Sequence, residues 1–521
     1  MGSSPTIRTR KREDFASLFS FFIDFFSDFC DNFFKNREGI SIMKKNTKFI
    51  LIVVAMLAVL GGAFFGYQKY ESNFIVIDEV KYHRGISSLD LSGTTIGELE
   101  KLTELTGLQE LNLQDTGITL EQYNTLSAAL PGCAISWSVP IGDGFVDCVA
   151  TELNLNTLTA ENLDLLAYFP QLTRLSVNSL DDDTLIDEIQ AHYAGLDFSY
   201  NLELCGKTYP HTAETLDLSD ATAEELAAKL PYLPHVTTVN LTGKIPSNED
   251  MIPLIEGFPQ ITFVFDFEVF GVATNSTADF LDLSNIQFSD TSEIDAIMPL
   301  FYNLTKVDMI HCGIPNEDMG ALNERYPDTL FVWMVKLHRK EFRTDITELI
   351  PVKHDVWITD PDCPNLCYFT ELVALDLGHM HIHSCEFIAH MPKLKYLVLA
   401  DSPLSDFSPL AGLENLVFLE LFLCPIEDYT PLTTLKSLQD LNICYTGADP
   451  TPLMEMTWLD NLWYSQPMHR PFSKEKEQAF REALPNTRIR LESGSSTGAG
   501  WRQLPNYYDM RDMLGMGYLI G

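Results

Sequence analysis

Three histidines alternate in the stretch GHMHIHSC, at His379, His381 and His383, with Cys385 two positions further on. In an extended segment alternate side chains share one side, so imidazoles in this pattern can converge on zinc or nickel. The competing reading is a solvated turn, because the run follows a short leucine strand where the chain bends away. Other chemical fragments fail on their context. Gly494-x-Ser496-x-Gly498 spells a nucleophile elbow, but it stands in Ser/Gly-rich sequence with no helix starting at once. Gly206-Lys207-Thr208 matches the end of a phosphate loop, yet Asn201 stands where that loop needs its first glycine. With no convergent nucleophile, base or metal set left, the chain reads as non-catalytic and without a cofactor.

What must position any functional residue here is a repeat. Leu375-x-Leu377, Leu397-x-Leu399, Leu419-x-Leu421 and Leu441-x-Ile443 recur at 22-residue steps, each preceded by Leu372, Leu394, Leu416 or Leu438. An apolar triplet of period two predicts a short strand with one face buried, and the rest of the unit predicts a return that sets the next strand alongside. No unit buries its leucines alone, so stacked units share one core and form a solenoid.

The stretch LENLVFLELFLCPIEDYTPL at 413–432 resembles the leucine-rich repeats of bacterial surface proteins of the internalin type. That resemblance implies a right-handed α/β solenoid with a parallel sheet on its concave face. It also implies that Cys312 and Cys424, fifth after the strand starts Val307 and Leu419, fill an inward turn position as buried thiols. Cys133 with Cys148, and Cys363 with Cys367, are disulfide candidates.

Upstream the unit loosens, with strand starts expected at Leu89, Leu111, Ile135, Leu153, Leu175, Leu196, Leu216, Val239, Ile261, Leu281, Val307 and Leu330. A longer period lies over these units: SLDL at 88, ELNL at 152, TLDL at 215 and FLDL at 280 are 64, 63 and 65 residues apart. Every third unit extends its alternation, in ISWSVPIGDGF from Ile135, FSYNLELCGKTY from Phe198, FVFDFEVFGVAT from Phe263 and FVWMVKLHRKEF from Phe331, which predicts a strand running on into a hairpin. Return segments such as TAEELAAKL predict short helices, here with Thr222 as N-cap. The layout, with the apolar segment described next, is similar to membrane-anchored leucine-rich repeat proteins of anaerobic gut Firmicutes.

Of 521 residues, 35 are Lys or Arg and 73 are Asp or Glu, a formal charge of −38, so the field of the molecule repels nucleic acid. Residues 1–48 are instead basic, with nine Lys/Arg and six Asp/Glu. After Lys44, Lys45 and Lys48, the run 49–67, FILIVVAMLAVLGGAFFGY, has no charge. At about 1.5 Å per residue it spans roughly 28 Å of hydrocarbon. Its basic flank predicts one transmembrane helix, a cytoplasmic N-terminus and extracellular repeats. The alternative is secretion after cleavage at the small residues Gly61 and Ala63. Phenylalanines 15, 19, 22, 26, 29 and 33 stripe a possible inner-leaflet helix, although Met43 begins a complete export signal by itself.

The expected divisions are thus 1–48 cytoplasmic (1–42 open to being a mis-assigned start), 49–67 transmembrane, 68–82 linker, 83–370 irregular repeats with hairpins, 371–491 regular repeats, and 492–521 a Gly/Ser linker with an aromatic tail. The candidate site is the outward side of the regular sheet: Tyr396, Phe418, Glu420, Phe422, Asp440, Asn442, Tyr445 and Tyr464. Aromatics on an exposed sheet point to a protein, peptide or glycan partner; the other occupant considered is the tail, through Trp501, Tyr507 and Tyr508. A scaffold assembling laterally through its hairpins is the alternative function. Mass spectrometry of the native N-terminus is expected to find residues 49–67 retained, and a mature chain starting near Phe64 refutes the anchor.

Overall fold

Each strand of the regular repeats is three residues long, too short to persist except between neighbours of the same kind. The computed structural model describes residues 42–465, 473–491 and 500–516, with Asp24 and Asp28. The phenylalanine stripe of the first 41 residues and the serine elbow at 494–498 lie outside the described residues. The chain divides into two compact units: residues up to Glu214 with Ala227–Val236, and Thr215–Leu226 with Thr237–Gly521.

In the second unit seven parallel strands form one sheet: Glu348–Leu349, Ala374–Asp376, Tyr396–Val398, Phe418–Glu420, Asp440–Asn442, Asn461–Trp463 and Arg488–Arg490. The register pairs Leu349, Leu375, Leu397, Leu419, Leu441, Leu462 and Ile489 across successive strands, and this column is buried from end to end. The sheet takes in one strand, Glu348–Leu349, upstream of the expected boundary at 371. Four residues past each column leucine the backbone is left-handed, at His379, Asp401, Leu423 and Tyr445, which turns the chain out of the sheet. It returns through 3-10 helices such as Ser408–Leu410, Thr430–Thr434 and Thr451–Glu455. Asp406, Asp428 and Asp449 start these by accepting from the N–H two residues on; the Thr430 and Thr451 hydroxyls, together with these N–H groups, hold Asp428 and Asp449 below the usual carboxylate range, and the Ser408 N–H and hydroxyl do the same for Asp406. These units, a short parallel strand, a left-handed turn and a 3-10 return stacked on a buried leucine column, have the solenoid layout expected from the repeat. Cys312 and Cys424 are buried and donate to the carbonyls of Leu283 and Leu399. All nine described cysteines are free thiols, the disulfide candidates included.

The irregular units also form parallel sheets, in groups of three. In the first unit these are Ser88–Asp90, Glu110–Leu113 and Ala134–Ile141, then Glu152–Leu158, Arg174–Leu180 and Asp197–Leu204. The second unit adds Thr215–Ser219, Thr238–Thr242 and Thr262–Val264, then Phe280–Asp282, Lys306–Asp308 and Leu330–Val332. Thr222 accepts from the Glu225 N–H at the helix start, as the sequence suggested. Three strand starts differ from expectation. The column partners are Phe198, Phe263 and Phe331, where Leu196, Ile261 and Leu330 were expected. Leu196 and Ile261 instead close the turn ending the preceding helix, donating to the carbonyls of Tyr193 and Phe258, and Leu330 is one residue out of register with Val307.

Every third strand does run on into a two-residue hairpin, closing at Ile141 and Gly144, Leu204 and Lys207, Val269 and Val272, and Leu337 and Lys340. One device recurs where each strand leaves the parallel sheet. A buried aromatic, Trp137, Tyr200, Phe265 or Trp333, donates its N–H to the side chain eleven residues on: Cys148, His211, Ser276 or Thr344. The same four partners return a backbone N–H to the aromatic's carbonyl at 2.9–3.0 Å. The bend would otherwise leave an N–H without a ladder partner, and burial makes such a group costly.

Residues 49–67 fall within one helix, Ile42–Glu71, and the expected linker after it holds a hairpin of Phe74–Ile77 with Val80–His83. Among the described residues no helix is long and apolar enough to cross a membrane.

By denaturant titration Leu419→Ala should lower stability by about 2–5 kcal/mol through its cavity. Ser276→Ala, which strips the partner from the Phe265 N–H and the Phe263 carbonyl, should cost about 1–3 kcal/mol. A change below about 0.5 kcal/mol, the scale of surface substitutions, contradicts either assignment.

Candidate binding face

The residues flanking the buried column point to the other side of the seven-stranded sheet. One outward row runs Ala374, Tyr396, Phe418, Asp440 and Asn461; the second runs Asp376, Val398, Glu420, Asn442 and Trp463. Tyr396, Phe418, Glu420, Asp440 and Asn442 therefore stand where the spacing put them. Phe422 and Tyr445 follow in the turns, half-buried, with ring centroids 5.5 Å apart and nearly perpendicular.

Tyr464 does not join them. The step after Leu441 is 21 residues, pairing Leu441 with Leu462 and Asn442 with Trp463, so Trp463 takes the outward place. Tyr464 turns inward, buried between Tyr429 and Phe480 at centroid distances of 6.4 and 6.5 Å.

The face is covered. Trp501–Gln503 forms a 3-10 turn and Pro505–Met513 a helix, with Pro505 at the first helical position, where its missing N–H costs nothing. Trp501, Leu504, Tyr507, Met510 and Leu514 fall three or four residues apart on one stripe. They bury into a single cluster with Ile350, Ala374, Val398, Phe418, Cys444 and Trp463. Trp501 is fully buried, its ring 4.8 Å from Phe418 and 5.4 Å from Trp463. Tyr508, which the sequence also offered as a covering ring, stays exposed.

Polar contacts fix the register of this segment. The Trp501 ring N–H donates to Glu420 Oε2 at 2.8 Å. Asn506 Nδ2 donates to Asp440 Oδ2 at 3.1 Å and to Gln439 Oε1 at 2.9 Å, while Asn461 donates to Asp440 Oδ1 at 2.7 Å. Lys353 donates to the Leu514 carbonyl at 3.1 Å. Burial pushes Glu420 up to about 7 against the pull of the Trp501 hydrogen bond, and nearby Asp376 adds to the rise. Burial likewise raises Asp376, and raises Asp440 against its bonds from Asn461 and Asn506.

The histidines do not meet on one ion. His379 Nδ1 lies 2.9 Å from Asp401 Oδ2, and His383 Nδ1 lies 2.8 Å from Asp360 Oδ2. Left-handed backbone at His379 and His381 separates the side chains that an extended segment would align. Among the described residues no three His, Cys, Asp or Glu are grouped to hold a metal.

No protein-family model matches the chain, and no curated protein matches its sequence. Solved structures do resemble it. Internalin C2 of Listeria monocytogenes is 24% identical over 26% of this chain and 70% of its own, with a TM-score of 0.20. An internalin, InlF, of the same species is 14% identical over 79% and 84%, with a TM-score of 0.21. A leucine-rich repeat protein of Leptospira interrogans is 14% identical over 77% and 95%, with a TM-score of 0.25.

Because Glu420 titrates higher beneath the tail than in water, its protonation favours the covered face. That contribution is fully present below the ordinary Glu range and is lost as pH rises through about 7. Protection of the Trp501 ring N–H from exchange, followed by NMR, is expected to be greater near pH 5 than near pH 8 after correction for intrinsic exchange. In Glu420→Gln the difference should shrink, and an identical pH profile in both proteins contradicts the linkage.

Proposed function

We propose that the chain is a non-catalytic binding protein, anchored by residues 49–67 with its repeats outside the cell, that recognises a protein or peptide through the sheet face of residues 371–491. The observation that carries this reading is the seating of a helical peptide segment, 500–516, on that face, with apolar anchors and directed hydrogen bonds. A surface that orders a peptide by side-chain pockets and polar registration has the chemistry of a recognition site. The anchor rests on the sequence of 49–67 and on Val54, Met56, Leu57, Val59 and Phe65, exposed apolar residues spread around one helix. A helix apolar on every side needs a protein core or lipid around it.

The test is selection of binders from a displayed peptide library against residues 68–521, followed by affinity measurement on Phe418→Ala. Binders that engage the face should lose about tenfold or more in affinity, the scale of a buried aromatic anchor. Binders indifferent to Phe418, or none at all, overturn the reading.

A further inference from the structure

The cover over the sheet face fits imperfectly, and its misfit is chemical. Beneath it lie three carboxylates at outward positions: Asp376 and Glu420 in one row with Val398 between them, and Asp440 beside Phe418 in the other. The segment 500–516 itself carries Arg502, Arg511, Asp509 and Asp512, and so has no net charge. It meets Glu420 and Asp440 with uncharged N–H donors, the Trp501 ring and the Asn506 carboxamide. At the same time Asn442 Nδ2 and Trp463 Nε1, both on the covered face in fully buried residues, have no hydrogen-bond partner among the described residues. A buried donor without an acceptor destabilises the state that buries it. A different occupant that offered oxygen acceptors at those two atoms would relieve that cost.

Resting on the function proposed above, we infer that 500–516 is an exchangeable occupant of this face, and that it yields to a peptide segment of another protein with the same chemistry. That segment is without net charge and aromatic, brings N–H donors to Glu420 and Asp440, and adds oxygen acceptors for Asn442 and Trp463. Acidic segments are excluded by the three carboxylates. Other charged and titratable groups around the face are His379 and Arg502 near Glu420, Arg511 near Asp376, Asp460 near Asp440, Asp509 near Tyr396, Asp512 on the segment, Lys353 at its end, and Arg488 over and Arg490 beside Trp463.

The experiment uses residues 68–521 with a protease site placed within 492–499, folded intact and then cut. The probe is a fluorescent synthetic peptide of residues 500–516, with variants carrying Trp501→Phe or Asn506→Asp. After cutting, the labelled peptide should replace the resident segment, seen by anisotropy, while the circular dichroism of the repeats holds. Trp501→Phe, which keeps a ring but loses the donor to a carboxylate, should bind about tenfold more weakly. Asn506→Asp should lose at least as much, and the loss should narrow on acidification. A segment that never exchanges, or repeats that unfold once it leaves, makes it a permanent cap and overturns the inference. Equal binding of all three peptides overturns the stated chemistry. Concentration-dependent dimers of the uncut protein would assign the face to a second copy's tail and overturn the foreign segment. Library binders that need Phe418 but leave the resident segment in place sink this inference alone; the absence of any such binder sinks the binding function itself.

Discussion

The structure depends on one constraint: a three-residue strand has no stability of its own. Each leucine of the column from Leu349 to Ile489 is dry only because the leucines before and after it are present. Stability is therefore shared between neighbours, and the ends of the stack are its weak points. The same constraint fixes what faces outward, because a column held in strict register leaves the flanking positions no choice of side. The rows containing Phe418 and Glu420 are a by-product of burying Leu419.

An outward face that carries Tyr396, Val398, Phe418 and Trp463 is costly to leave wet, and the chain covers it with the helix Pro505–Met513. The covering is not purely apolar. Three carboxylates lie under it, and desolvation is tolerated at Glu420 only because a ring N–H points at the acid and the proton is retained more tightly. The face thus combines a strong apolar drive for occupancy with a polar pattern that restricts what the occupant can be.

Much of this was legible in the sequence. The 22-residue step located every strand of the regular sheet from Ala374 to Asp440, because a buried column admits only large aliphatic residues at one phase. It misled at Tyr464, where the step shortens to 21 and a Leu-Trp-Tyr run satisfies either phase. It misled again at Leu196, Ile261 and Leu330, where the return segment's own apolar residues abut the strand and period alone cannot separate them. The aromatic hinges with their partners eleven residues on escaped notice because Cys, His, Ser and Thr share no letter pattern, only a hydrogen-bonding atom at the same reach. The tail's stripe of Trp501, Leu504, Tyr507, Met510 and Leu514 was readable as an amphipathic helix, but which surface it met depended on tertiary contacts between residues some eighty positions apart.

The hinge at each hairpin separates two kinds of freedom. Up to the aromatic, the backbone is bound to the register of the stack; past it, the chain leaves and comes back to the same residue, where a closing pair of bonds seals the loop. Between the two ends one side of each arm is itself buried, at Val139 and Ile141, Leu202 and Leu204, Phe267 and Val269, and Val335 and Leu337, so only the tip is free of the packing. Each two-residue tip is therefore a grafting point: extra residues added there in matched pairs lengthen the arm and keep its buried side in place. A single residue added within an arm would instead swing that buried side out to solvent.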